Sequence, residues 1–251
     1  MVYIQNKYMI TVILNCYKRP KYLQEQIDAI KSQSIPPEDI MIWYNKPEDE
    51  PQYDLTNLGC KIATCNHNFK FHGRFAYGLL SKTKYIAYFD DDTIPGKDWF
   101  KNCLDTIDKG YNGILGTTGV ALTGNNYDSH YKVGWNGRQT NEVQEVDLVG
   151  HAWFFERKFL HYLWIEEPIS WENGEDMQLS FFSQKHGNIK TYVPPHPPNQ
   201  FHLYGSLPNK GMKYGLDNKG NSISKFDHHK NLRNEIASEL INKGWKLANK
   251  K

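Results

Sequence analysis

Lys84-Tyr85-Ile86-Ala87-Tyr88-Phe89-Asp90-Asp91-Asp92-Thr93-Ile94-Pro95-Gly96 is the stretch whose reading decides the fold. Residues 84–89 are rich in aromatic and β-branched types and bounded by turn formers, which predicts a core strand. Three consecutive aspartates at its carboxyl end repel one another unless a cation sits among them. In open α/β folds that end of a strand is where ligands bind. Carboxylates are hard oxygen donors suited to Mg²⁺ or Mn²⁺, and a site with one or two of them completes its shell with water and phosphate. The alternative is a solvated acidic turn capping a helix that begins near Lys97, since Asp favours turns and N-caps.

Outward from this strand, residues 9–122 alternate between strand and helix patterns, as an open, mostly parallel sheet requires. Strands are expected at 9–14, 40–44, 59–65, 84–89 and 113–122, and helices at 22–31, 73–81 and 99–109. Leu23, Ile27 and Ile30 carry the helical spacing in the first helix. A Pro- and acid-rich loop is expected at 46–51. Residues 125–145, rich in Asn, Gly and Tyr, read as a loop or an excursion of short strands. Further on, a strand is expected at 146–155, a short helix at 158–163, a helix at 175–185 and a last strand at 189–193. Pro194, Pro195, Pro197 and Pro198 stop regular structure there. Residues 199–222 read as a polar loop, and 226–251 as a charged amphipathic helix with Leu232, Ile236, Leu240 and Trp245 on one side.

The 251 residues suffice for a large buried core, and hydrophobic content is ordinary, so a globular protein is expected. A net charge of +2 argues against a dedicated nucleic-acid binder. Cys16, Cys60, Cys65 and Cys103 lack metal-type spacing, and Cys16 and Cys103, in apolar strand-like and helix-like surroundings, read as free buried thiols in a reducing, cytoplasmic compartment. No signal segment opens the chain, and no run approaches the roughly 18 apolar residues of a membrane span. The basic residues of the last helix, among them Lys230, Arg233, Lys243 and Lys246, admit peripheral contact with an anionic membrane; an ordinary helix packed on the domain is the other reading.

Three further segments carry possible chemistry. The first strand ends in Asn15-Cys16-Tyr17-Lys18-Arg19-Pro20, where Asn15 and Tyr17 can meet a nucleotide base and Arg19 its phosphates, or where the chain simply turns into a helix. His72-Gly73-Arg74-Phe75 puts one of only five arginines in the first turn of a helix, where an anion would reward it and a plain surface role is the alternative. Trp171-Glu172-Asn173-Gly174-Glu175-Asp176 places two carboxylates at a helix start. They complement the helix dipole, or Asp176 acts as general base on an acceptor hydroxyl that Glu175 holds. Trp153 and Trp171 offer faces for sugar rings, with His151 on the acceptor wall; core packing is the other reading of the aromatics. His196 is a candidate metal ligand with His202 as rival, because imidazole suits Mn²⁺ better than Mg²⁺.

The order of these pieces resembles a GT-A fold glycosyltransferase over residues 9 to 200. The amino terminus is similar to family 2 enzymes. The middle resembles exostosin-like transferases, whose Asn-Arg-Phe element precedes a strand and an Asp triplet; Gly73 stands where that element has Asn. The resemblance implies a Rossmann-like, mixed but mostly parallel sheet flanked by helices. It implies a catalytic domain at 1–200, with a nucleotide-binding half at 1–122 and an acceptor-side half at 123–200. Residues 201–251 are then a loop and C-terminal helix packed on it. It assigns Asp92 to Mn²⁺ or Mg²⁺, Asp90 to the ribose or to the metal through water, and Asp91 to the donor sugar or ribose. It further implies a UDP-sugar donor, a glycan or lipid-linked acceptor, Arg19 and Arg74 near the diphosphate, and Asp176 as base in an inverting reaction, although retaining members carry a similar pair. A sugar nucleotidyltransferase is a rival, but residues 15–20 lack the Gly-rich loop it would need. A non-catalytic sugar-binding module is another, needing neither a metal nor a base.

Overall fold

The computed structural model of the chain describes residues 9–47, 52–215 and 227–248. In chain order these form β1 (Ile10–Cys16), α1 (Leu23–Lys31), β2 (Asp39–Asn45), β3 (Lys61–Cys65), α2 (His72–Gly78), β4 (Tyr85–Phe89), α3 (Trp99–Asp108) and β5 (Ile114–Leu122). The predicted excursion contains β6 (His130–Gly134) and β7 (Gln144–Val146). After it come β8 (Leu148–Glu156), a 3-10 helix (Arg157–Trp164), α4 (Glu175–Gly187), β9 (Thr191–Val193), α5 (Pro208–Gly215) and α6 (Asp227–Asn242).

The nine strands among the described residues form one sheet of order β3-β2-β1-β4-β8-β5-β9-β7, with β6 on β5. The amino-terminal part of the sheet, β3-β2-β1-β4, is wholly parallel. Antiparallel pairing enters where β8 inserts between β4 and β5, giving the mixed α/β sheet that was expected. β4 is buried at every position because helices cover both faces of the sheet. Tyr85, Ala87 and Phe89 point into one apolar cluster with α1 and α3, while Ile86 and Tyr88 point into the other with Phe75 and Leu160. The continuous apolar run is thus the signature of a two-faced strand.

Two expectations for the carboxyl-terminal part are corrected. Residues 199–222 are not simply a loop: a 3-10 turn at Phe201–Leu203 and α5 lie within them, and Tyr204 is fully buried, its hydroxyl donating to the carbonyls of His196 (3.1 Å) and Pro197 (2.8 Å). The final helix ends at Asn242, where Gly244 at φ 100° turns the chain, yet Trp245 still packs in the cluster that Ile236 and Leu240 share with Phe181 of α4. Residues 48–51 of the acidic loop, 216–222 of the later loop, and 226 and 249–251 of the predicted helix lie outside the described residues.

Candidate active site

β4 delivers the aspartates to the carboxyl edge of the sheet, and the loop beyond is strapped to α1. Gln26 donates from Nε2 to the carbonyls of Asp90 (2.8 Å) and Thr93 (2.6 Å). Gln33 accepts the Phe100 N–H (3.1 Å) and donates to the Gly96 carbonyl (2.7 Å), so it tends the start of α3. The aspartates cap nothing there, which removes the acidic-cap alternative. Their side chains are 15–30 % exposed: Asp91 accepts from Arg19 at 2.8 Å, Asp92 from the same guanidinium at 3.4 Å, and Asp90 from Arg74 at 2.5 Å.

A backbone irregularity brings a histidine to them. Between the pairs Gly116–Trp153 and Thr118–Gly150, two residues of β8 oppose one of β5, a β-bulge. His151, in that bulge, has φ 65°, a left-handed conformation uncommon for a residue other than glycine. Its carbonyl accepts the Asp90 N–H at 3.0 Å, and its Nδ1 lies 3.7 Å from Asp90 Oδ2. Asp90, Asp92 and His151 each present a ligand atom within 4.8 Å of the others. Two carboxylates and one imidazole, partly open to solvent, form a donor set that fits Mn²⁺ or Mg²⁺ and leaves positions for water and phosphate.

The second carboxylate pair faces the same cavity of about 410 Å³. Arg74 is buried in the first turn of α2 and spans the two groups, donating to Asp90 from one nitrogen and to Glu175 (3.3 Å) from another. It can do so because Gly73 beside it lets α2 approach β2: a Cβ there would lie 2.3 Å from the Trp43 ring. Glu175 and Asp176 open α4 after Gly174, whose φ of 86° suits glycine. Asp176 is clamped by Arg233 of α6, with Nη2 donating to Oδ2 at 2.8 Å and Nη1 to Oδ1 at 3.2 Å. Arg233 also donates to Asn173 (3.1 Å) and lies 4.3 Å over the Tyr127 ring.

Burial sets the charge state of these acids. It pushes the Asp91 carboxyl up to about 7 against the opposing pull of Arg19, with Asp92 and Asp90 adding to the rise. Burial and then Asp90 raise Asp92 to about 6, and burial and then Asp176 raise Glu175 to about 7. An added cation would relieve all three, since opposite charge favours the ionised carboxylate.

The remaining sequence-derived candidates are distributed unevenly. Asn15 and Tyr17 sit half-buried at and just beyond the end of β1, outside the wall of this cavity. His196 is corrected as a metal ligand. It is fully buried, with Nε2 3.0 Å from Thr117 Oγ1 and Nδ1 2.7 Å from the Pro194 carbonyl, so both ring nitrogens are engaged in packing and not with the aspartates. His151, expected to face the acceptor, joins the aspartates instead. Trp153 is buried and carries the Arg74 guanidinium 4.8 Å above its ring, so its face is not open to a sugar. Trp171 is exposed and edge-on to His72 at 5.1 Å. Arg233 leaves the supposed basic surface of the last helix for the site itself. Asn173, Lys132 and Trp135, unremarked in the sequence, also line the cavity.

Residues 11–164 match the family model described as glycosyl transferase family 2. No curated protein matches the chain.

Proposed function

The chain belongs to glycosyl transferase family 2, and from that premise we propose that it moves a sugar from a nucleotide diphosphate, UDP being the expected nucleotide, to a hydroxyl of a glycan or lipid-linked acceptor. The observation that carries this reading is one cavity that unites the Asp90, Asp92 and His151 donor set with the Glu175–Asp176 pair. Asp92, Asp90 and His151 would hold Mn²⁺ or Mg²⁺. When bound, such an ion stabilises the negative charge that builds on the departing diphosphate. Arg74, already at the boundary between the two acid groups, supplies fixed positive charge to the same end. Arg19 orients Asp91 and Asp92, and Asn15 and Tyr17, at and just beyond the end of β1, would meet the nucleotide.

On the acceptor side the proton of the attacking hydroxyl passes to a carboxylate. Asp176 is the proposed base, held in one orientation by Arg233, with Glu175 binding the acceptor; attack opposite the leaving diphosphate then inverts the anomeric centre. One observation favours exchanging these roles. Asp176 already has both oxygens bonded to Arg233, whereas Glu175 has a carboxyl raised to about 7, close to the working pH that suits a general base. Comparing the pH profiles of Glu175→Gln and Asp176→Asn separates the two: the base is the residue whose loss removes the acidic limb of kcat/KM.

The test of the whole reading is thermal stabilisation by UDP with and without Mn²⁺, together with Mn²⁺-dependent turnover of UDP-sugars. Stabilisation that needs metal and is lost in Asp92→Ala supports it. UDP binding indifferent to metal, with no turnover of any donor, would leave a sugar-binding module.

A further inference from the structure

The cavity contains one charge that none of this uses. Of the described residues lining it, Arg74 is paired with Asp90 and Glu175, and Arg233 with Asp176, but the Lys132 ammonium has neither a hydrogen bond nor an ion pair. A lysine head on a solvated surface needs no partner. One lining a cavity that fills with substrate loses water on filling, at a cost that an incoming anion offsets.

The main chain fixes where this charge stands. Lys132 pairs with Val120 across β6 and β5, and its carbonyl accepts the Arg138 N–H at 2.9 Å, so both sides of the strand are tied. Two residues on, Gly134 donates to the Arg138 carbonyl (2.9 Å) and Trp135 to the Thr117 carbonyl (2.8 Å). The Trp135 ring then rests against His151 with centroids 4.9 Å apart. Asp90 directly follows β4, three strand steps away along β4-β8-β5-β6, which at about 4.8 Å each separates the two backbones by on the order of 14 Å. Shortened by the reach of the lysine side chain, that backbone span still leaves room for one sugar ring between the two ends.

We propose that Lys132 is a specificity-determining residue that reads an anionic group, a carboxylate or a phosphate, on the acceptor saccharide, with Trp135 beside it as the wall against which that sugar lies. The inference rests on the transferase reading of the cavity. Its ligand chemistry is an anion carried by a sugar, and uronic acids and sugar phosphates are its two sources.

The experiment uses the full chain saturated with Mn²⁺ and UDP, so that the diphosphate position is filled, and follows tryptophan fluorescence on titration with methyl glucuronide, glucose 6-phosphate and methyl glucoside. One of the two anionic sugars binds about tenfold more tightly than the neutral one, the scale of a charge-assisted hydrogen bond, and the stronger of them identifies the source. Lys132→Gln abolishes that preference and Lys132→Arg keeps it, while UDP affinity stays unchanged in both. Equal binding of all three sugars to the wild type, or a preference that survives Lys132→Gln, overturns the proposal. So does a loss of UDP affinity in Lys132→Gln, which would assign the lysine to the donor. Melting temperatures of both variants report whether they fold. Failure of the transferase reading would appear separately, as Mn²⁺-independent UDP binding by the wild type.

Discussion

Arg233 in α6 holds Asp176 in α4 through two parallel bonds, 2.8 and 3.2 Å long, across 57 residues of sequence. Both partners are buried, and the arginine has a second anchor in Asn173. Arg233→Ala leaves a buried carboxylate beside Glu175 without its counter-charge, a change that costs about 3–5 kcal/mol. A drop in melting temperature together with near-complete loss of turnover is expected. Arg233→Lys recovers part of the stability and less of the turnover, because an ammonium cannot reproduce the two-pronged geometry. Chemical denaturation and single-turnover rates check both.

Metal affinity separates His151 from His196. His151→Ala weakens Mn²⁺ binding roughly tenfold or more, in line with the loss of one ligand. His196→Ala leaves Mn²⁺ affinity intact and lowers stability by about 1–3 kcal/mol, since Thr117 loses a buried partner. Calorimetric Mn²⁺ titration beside thermal melts distinguishes them, and the reverse pattern would restore His196 as a ligand.

The carboxyl of Glu175 rises in the fold from 4.5 to about 7. Between those values the folded chain binds more protons at this group than the unfolded chain does. Its contribution to stability is therefore full below about pH 4.5 and is lost as the pH rises through 7. Glu175→Gln, which mimics the protonated acid, should raise the metal-free melting temperature at about pH 8 and do little at about pH 4.5. An equal shift at both pH values would contradict the burial-driven rise.

Gly73→Ala puts a methyl group 2.3 Å from the Trp43 ring and forces α2 away from β2. A cost of about 1–3 kcal/mol follows from overpacking. Because Arg74 rides on the same turn, UDP affinity should fall as well, which equilibrium binding at a temperature below the melt would register.

The strand and helix order from β1 to β5 was legible because each element carries its own period and its own turn residues. The Asp triplet was legible because three adjacent charges after a buried strand are costly without a purpose. His151 was read as part of the acceptor wall and not as a metal ligand, for the bulge that re-aims it depends on pairing between β5 and β8 and leaves no period in either. Arg233 was misread because helical spacing marks the apolar side, Ile236 and Leu240, and says nothing of what a charge at its border will meet. His196 looked available after a run of prolines, and Thr117, which engages it, lies 79 residues earlier. Long-range polar pairs of this sort are written in two places at once, and neither half is informative alone.

The Arg233–Asp176 clamp also bears on the protein's birth. The matched region ends at residue 164, and the ribosome completes every strand and both acid groups before it reaches α6. Until then the nascent chain holds the Asp90 to Asp92 cluster and Glu175 without the group that fixes Asp176. The clamp therefore forms late, and a chain that stops just short of α6 would leave Asp176 without its partner and Phe181 and Phe182 without the apolar side chains that cover them.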